Sequence, residues 1–218
     1  MSATDKVLIL RLRIYFMKII CIARNYREHA RELNNPLPKS AVFFIKPDTA
    51  LLKNGRDFYI PEFSNNIHFE AEIVLKISRV GKYIQPEFAH RYFEQISLGI
   101  DFTARDLQNE LKKMGYPWEM AKAFDGAAVT GEFFDKNQFG LSQLNFCLKK
   151  NGQMVQEGNT ADMIYDFSKI IAEASKFFTL KTGDLIMTGT PAGVGQVNSG
   201  DVLTGFIEQQ KIFEVSIK

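Results

Sequence analysis

At 218 residues, 45% of them hydrophobic and 24% charged, the chain is long enough to bury a real core and has the composition of an ordinary globular domain. Its 27 basic and 25 acidic residues leave a net charge of +2, with no extended basic surface for nucleic acid; the pairs Lys112-Lys113 and Lys149-Lys150 read as solvated faces. Cys21 and Cys147 are too few for a disulfide framework or a thiolate metal site, and they fit a reducing, cytoplasmic compartment.

In chain order, residues 1–16 are apolar in part, but Arg11 and Arg13 interrupt the run, so it makes a poor signal peptide and is too charged to span a bilayer. Met17 opens "MKIICIARNY", a natural start for a first strand. The expected organisation is an N-terminal extension or misplaced start over 1–16, then a single catalytic domain over 17–218. Strands are expected at Lys18–Ile22, Ala41–Lys46, Phe69–Ile77, Ile96–Ile100, Leu144–Lys150, Met154–Glu157, Leu185–Thr188, Val202–Glu208 and Lys211–Ile217. Asn151-Gly152 is a two-residue hairpin signal between two of them. Helices are expected over Pro86–Gln95, over Thr103–Met114 behind a threonine cap, and over Ile164–Phe178. Strands and helices do not alternate, which argues against a doubly wound parallel sheet and for a β-rich α+β fold.

Four stretches could carry chemistry. In "NIHFEAEIVLKI", alternation sends Glu70 and Glu72 to the same side of a strand, either as a wet acidic face or as paired carboxylates for a hard cation. In "ARNYREHAREL", His29 and Glu32 stand three apart, so on a helix the carboxylate can orient the imidazole as a general base; a surface i,i+3 pair has the same spacing. In "LGIDFTARDLQNELKKMGYPWEMAKAFD", Asp101 ends an apolar strand, where a carboxylate is a helix cap or a ligand. Arg105 and Gln108 follow on one helix face, offering a cation and an amide to a carboxylate; Asp106 could pair with neighbouring bases. Lys122 follows an aromatic turn, as a desolvated ammonium or a surface lysine. In "GDLIMTGTPAGVG", glycines around Thr190 allow close backbone approach or make a plain turn, and neither a phosphate loop nor a dinucleotide fingerprint is present.

Taken together and in order, "CIARNYREHAREL", "HFEAEI", "GIDFTARDLQ", "PWEMAKAFD" and "GDLIMTGTPAGVG" resemble the fumarylacetoacetate hydrolase superfamily, in particular its acylpyruvase branch, over about residues 17–218. The resemblance implies a mixed β-sheet roll with few peripheral helices, usually a homodimer. It further implies Mg²⁺ or Mn²⁺ held by Glu70, Glu72 and Asp101, and catalysis by the His29/Glu32 dyad with Lys122 and Gln108. Arg24, Lys46, Arg105 and Thr190 match positions that line or close the family pocket. The implied reaction is hydrolysis of the carbon–carbon bond of acylpyruvates (2,4-dioxo acids), with oxaloacetate decarboxylation as a companion activity. Two alternatives remain open from the sequence: an isomerase or decarboxylase of dioic acids from aromatic-compound breakdown, and a non-catalytic metal- or ligand-binding relative. A small 2-oxo or 2,4-dioxo acid is the expected partner, with no nucleic acid or membrane.

Overall fold

The strands Lys18–Ala23 (β1) and Val42–Pro47 (β2) flank a short helix, Arg27–Glu32 (α1). Ile67–Phe69 (β3), Ala71–Ile77 (β4), Phe93–Asp101 (β5) and Thr103–Ala104 (β6) lead into the helices Arg105–Met114 (α2) and Glu119–Lys122 (α3). Ala128–Thr130 (β7), Phe134–Asp135 (β8), Asn145–Lys150 (β9) and Gln153–Asn159 (β10) precede the longest helix, Phe167–Phe177 (α4). Leu185–Met187 (β11), Gly195–Gln196 (β12), Val202–Ile207 (β13) and Gln210–Ser216 (β14) complete the chain. The computed structural model describes residues 17–32, 39–52 and 56–218. The expected extension over 1–16 lies outside the described residues.

The main sheet runs β2-β1-β11-β4-β5-β7, with β8 also on β5. It is mixed, because β1 pairs with β11 in parallel while the other neighbours are antiparallel. A second sheet, β10-β9-β13-β14, closes over it, and Ile73, Leu75, Ile96 and Leu98 share one core with Leu148, Leu203 and Phe213. The other face of the main sheet is also dry: Val74 packs with Ile19, Cys21, Leu185 and Met187. The wet acidic face allowed for the Glu70–Glu72 strand is therefore not what forms. Burial on both sides of β4 leaves only Lys76 half-buried.

Several expected boundaries shift, each for a local reason. Phe69–Ile77 is not one strand. β3 belongs to a third small sheet, β12-β3-β6, and the chain changes sheets at Glu70. The partner strand breaks opposite it, where the Asp101 amide donates to the Glu70 carbonyl at 2.8 Å and Phe102 breaks the run between β5 and β6. Pro86–Gln95 is helical only in its first part: Pro86–Arg91 forms a 3-10 helix, and from Phe93 the backbone is taken up by pairing with β4. Thr103 does not cap a helix, because it pairs with His68 in the third sheet. Asp106 does not pair with bases. It accepts from Ser64 Oγ at 2.6 Å and from the amides of Asn65 and Leu107, fastening the start of α2. α4 begins at Phe167, later than Ile164, because Asp166 accepts from the Lys169 amide and caps it there. Asn151 and Gly152 do join β9 to β10, both at positive φ (53° and 81°) as a primed turn requires.

Candidate metal centre and its cleft

The two sheet-switching points put three carboxylates together. Glu70, Glu72 and Asp101 are 5%, 2% and 1% exposed, and each offers an oxygen within 4.8 Å of the others. Three cations face them. Lys122 Nζ lies 2.8 Å from Glu70 Oε2 and 2.7 Å from Asp101 Oδ2; Arg105 Nη2 pairs with Glu70 Oε1; Lys46 Nζ lies 2.7 Å from Asp101 Oδ1. Among the described residues no cation forms an ion pair with Glu72, and its Oε2 accepts the Gly189 amide at 2.6 Å.

This asymmetry sets the protonation equilibria. Burial would raise the Glu70 pKa, but the Lys122 and Arg105 charges outweigh it and hold the group well below the usual carboxylate range. Glu72 moves the other way: burial first, then the neighbouring charges of Asp101 and Glu70, push it well above the usual value. Burial would lower the Lys122 pKa, yet Asp101 and Glu70 raise it, so it stays an ammonium.

The donor set fits a hard divalent cation. It is all carboxylate oxygen, which suits Mg²⁺ or Mn²⁺ over softer metals. Asp101 Oδ1 is buried and close to Lys46 Nζ, but it accepts no hydrogen bond of adequate geometry. A buried carboxylate oxygen without such a bond is an available ligand atom.

Around this floor lies a narrow cleft, with an enclosed free volume of about 40 Å³. Its lining brings together Arg24, His29, Glu70, Glu72, Asp101, Arg105, Gln108, Lys122 and Thr190 from the sequence reading. Glu32 stands behind His29, with Oε2 3.3 Å from the imidazole Nδ1 while Oε1 accepts the Gly193 amide at 3.0 Å. Burial lowers the His29 pKa against the opposing pull of Glu70 and Glu32, so the imidazole is neutral near pH 7. Lys46 is not in the lining: it lies fully buried under the floor, donating to the Lys122 carbonyl and to the Ala127 carbonyl at 3.1 Å. Arg105 Nη1 donates to Gln108 Oε1 at 2.6 Å, which leaves the Gln108 amide NH₂ for a ligand. Thr190 faces the cleft with its hydroxyl accepting from Gln156 Nε2 at 2.9 Å.

Other contributors were not proposed as site residues from the sequence, and Lys112, expected on a solvated face, is instead half-buried. Lys112 and Trp118 line the cleft beside Phe44. Lys112 follows Gln108 by four residues on α2, so the helical spacing could have found it. Gln156 gave no signal: it reaches from β10 to accept the Ala71 amide, between the two glutamates, at 2.9 Å while donating to Thr190 and Pro191. Asn25, fully buried, accepts from the Tyr165 amide at 2.7 Å and donates to the carbonyls of Tyr165 and Thr188. It fixes the approach of α1 to the end of β11. Gly189 packs on it at φ 92°, where a Cβ would come within 2.6 Å of Asn25 Cβ.

The chain has relatives among known proteins. The family described as fumarylacetoacetate (FAA) hydrolase C-terminal matches residues 18–217. The chain is 39% identical over 189 residues to the oxaloacetate tautomerase YcgM of Escherichia coli (strain K12), covering 86% of each chain. It is 38% identical over 184 residues to the mitochondrial oxaloacetate tautomerase FAHD1 of Bos taurus, covering 84% of this chain and 83% of that one. Among solved structures, the fumarylpyruvate hydrolase of Pseudomonas aeruginosa in complex with Mn²⁺ and pyruvate superimposes with a TM-score of 0.87 at 33% identity, covering 93% of this chain and 89% of that one.

Proposed function

The chain belongs to the fumarylacetoacetate (FAA) hydrolase family, and on that premise we propose that it is a divalent-metal enzyme that hydrolyses the carbon–carbon bond of acylpyruvates to pyruvate and a carboxylic acid. The observation that carries the reading is His29, held by Glu32 at 3.3 Å, at the edge of a buried three-carboxylate floor suited to a cation. Glu70, Glu72 and Asp101 would hold Mg²⁺ or Mn²⁺. When bound, the cation supplies Lewis-acid polarisation of a 2-oxo acid.

The chain's own residues do the rest. With Nδ1–H donating to Glu32, His29 Nε2 is the free base; it takes a proton from water as the water oxygen attacks the acyl carbonyl carbon. The bond from that carbon to C3 breaks, its electron pair passes to C3, and the pyruvate enolate is then protonated there. Lys122 and Arg105 supply positive field against the developing charge, and the Gln108 amide, oriented by Arg105, donates to it. Arg24 stands at the entrance for a substrate carboxylate. The proposal includes the homodimer implied by the family resemblance. The free thiols of Cys21 and Cys147 are consistent with a cytoplasmic location; the designation mitochondrial belongs to the FAHD1 relatives. No helix among the described residues is long and apolar enough to cross a membrane.

A second reading, keto–enol tautomerisation of oxaloacetate, is favoured by the similarity to the oxaloacetate tautomerases YcgM and FAHD1. It needs a proton moved at C3 and no water nucleophile. Acetylpyruvate, fumarylpyruvate and oxaloacetate assayed side by side with Mg²⁺ and Mn²⁺ separate the two. His29→Ala is expected to lower acylpyruvate hydrolysis by about 10²- to 10⁴-fold. Retained hydrolysis in that variant removes the dyad from the mechanism, and a wild type that interconverts oxaloacetate tautomers but releases no pyruvate from any acylpyruvate leaves the second reading standing.

A further inference from the structure

The cleft has a buried floor and a half-exposed rim. His29, Glu70, Glu72, Asp101, Arg105, Gln108, Lys122 and Thr190 are all buried, whereas Arg24, Phe44, Lys112 and Trp118 are half-exposed. The floor cations are committed, since Lys46, Arg105 and Lys122 each pair with a carboxylate of the cluster. Lys112 is not: among the described residues no carboxylate forms an ion pair with it, and its Nζ instead sits 5.6 Å from the centroid of the Trp118 ring. That ring is fixed in turn against Phe44, at a centroid distance of 6.2 Å. Trp118 therefore holds an ammonium at the entrance by cation–π attraction while leaving its donors available.

The field there calls for an anion. Partial burial, then the Arg105 and Arg24 charges, lower the Lys112 pKa to about 8, which is still protonated for the most part at pH 7. A cation kept among cations, with no carboxylate paired to it among the described residues, is stabilised by a ligand that brings one.

We propose that Lys112, seated on Trp118, receives a carboxylate at the end of the substrate remote from its 2-oxo-acid head, so that the enzyme prefers 2-oxo acids whose far end is a carboxylate over those ending in an alkyl group. The proposal rests on the 2-oxo-acid reading above and adds the class of the acyl group. Lys112 acts here on specificity and takes no part in bond cleavage.

The test compares binding of 2-oxoglutarate and 2-oxopentanoate, which share a carbon skeleton length and differ by a terminal carboxylate, to the Mn²⁺-supplemented protein by calorimetry. Wild type is expected to bind 2-oxoglutarate about tenfold or more tightly, the scale of one charge-assisted hydrogen bond. In Lys112→Met that ratio is expected to fall close to one, and in Lys112→Arg to persist. Lys112→Gln, which keeps length and polarity without charge, serves as the second neutral variant, and melting curves establish that each variant is folded. A wild type with equal affinity for both acids, or a ratio unchanged in both neutral variants, overturns this inference while leaving the 2-oxo-acid reading intact. A wild type that binds neither acid counts against that reading, and the inference falls with it.

Discussion

Replacing Glu72 with glutamine separates a metal-ligand role from a structural one. Glu72 is 2% exposed, forms no ion pair among the described residues, and sits beside Asp101 and Glu70. The amide oxygen of glutamine can keep the hydrogen bond from Gly189 that Glu72 Oε2 accepts at 2.6 Å. Without metal, Glu72→Gln is therefore expected to be as stable as wild type or more so, by on the order of 1–3 kcal/mol, the scale on which removing an uncompensated buried charge acts. The sign with pH follows from the raised pKa: the folded state holds the proton more tightly than the unfolded one. The stability that protonation of Glu72 contributes is complete below about pH 4.5 and is lost as pH rises toward the folded value. The advantage of the glutamine variant should accordingly grow from pH 4.5 to 7. With metal the order reverses. At a Mn²⁺ concentration of about 100 times Kd, wild type gains about 2.7 kcal/mol, or about 5–11 °C in Tm for a domain of this size. The variant, short of one carboxylate ligand, is expected to gain almost nothing. Thermal melts in EDTA and in Mn²⁺ at pH 4.5 and 7 read all of this. An equal Mn²⁺ shift in both proteins refutes the ligand assignment, and a metal-free variant several kcal/mol less stable than wild type refutes the electrostatic account of Glu72.

Asn25→Ala removes three hydrogen bonds from a fully buried position and strands two carbonyls and an amide; a loss of about 3 kcal/mol, or about 6–12 °C in Tm, is expected, and a loss below about 1 kcal/mol would mean that water satisfies those groups. Because burial lowers the His29 pKa, the acid limb of a kcat/KM–pH profile should fall below the ordinary histidine value of 6.5; a limb above it would show the imidazole stabilised as a cation, and hence unsuited to act as the base.

What could be read from the sequence follows from how local each feature is. The paired glutamates, the His29–Glu32 spacing and the Arg105–Gln108 face are visible because side chains two residues apart on a strand, or three apart on a helix, share a side. The break at Glu70 is invisible in that pattern. Alternation continues straight through it, and only pairing with β6 and β12 on one side and with β5 and β11 on the other shows that β3 and β4 belong to different sheets. The same applies to Phe93–Gln95, whose extended backbone is dictated by a partner strand. Lys46 is the sharpest case. By sequence it is the polar residue near the end of a strand, and in the fold it is a fully buried ammonium beneath the site, because Asp101 and three carbonyls, those of Phe102, Lys122 and Ala127, converge on it from distant segments. Gln156 reaches the site from 85 residues away, and no spacing rule connects it to Ala71.

The charge balance of the floor links metal and substrate. Glu70, Glu72 and Asp101 are matched in number by Lys46, Arg105 and Lys122, so the site is close to neutral before any cation enters when Glu72 is ionised, and positive when it is protonated. A divalent ion then leaves an excess of positive charge in a buried place, where such excess is costly. Anions are what remove it, and a 2-oxo acid with a second carboxylate brings two charges. At the rim, Lys112 adds a further cation with which no carboxylate among the described residues forms an ion pair. On the proposed function, metal and dianionic ligand would therefore each lower the cost of binding the other, a coupling that is reciprocal by necessity. On the proposed function the two ends of the cleft would do different work: the Glu70, Glu72 and Asp101 floor would serve what all 2-oxo acids share, and the rim would decide among them by what they carry at the other end.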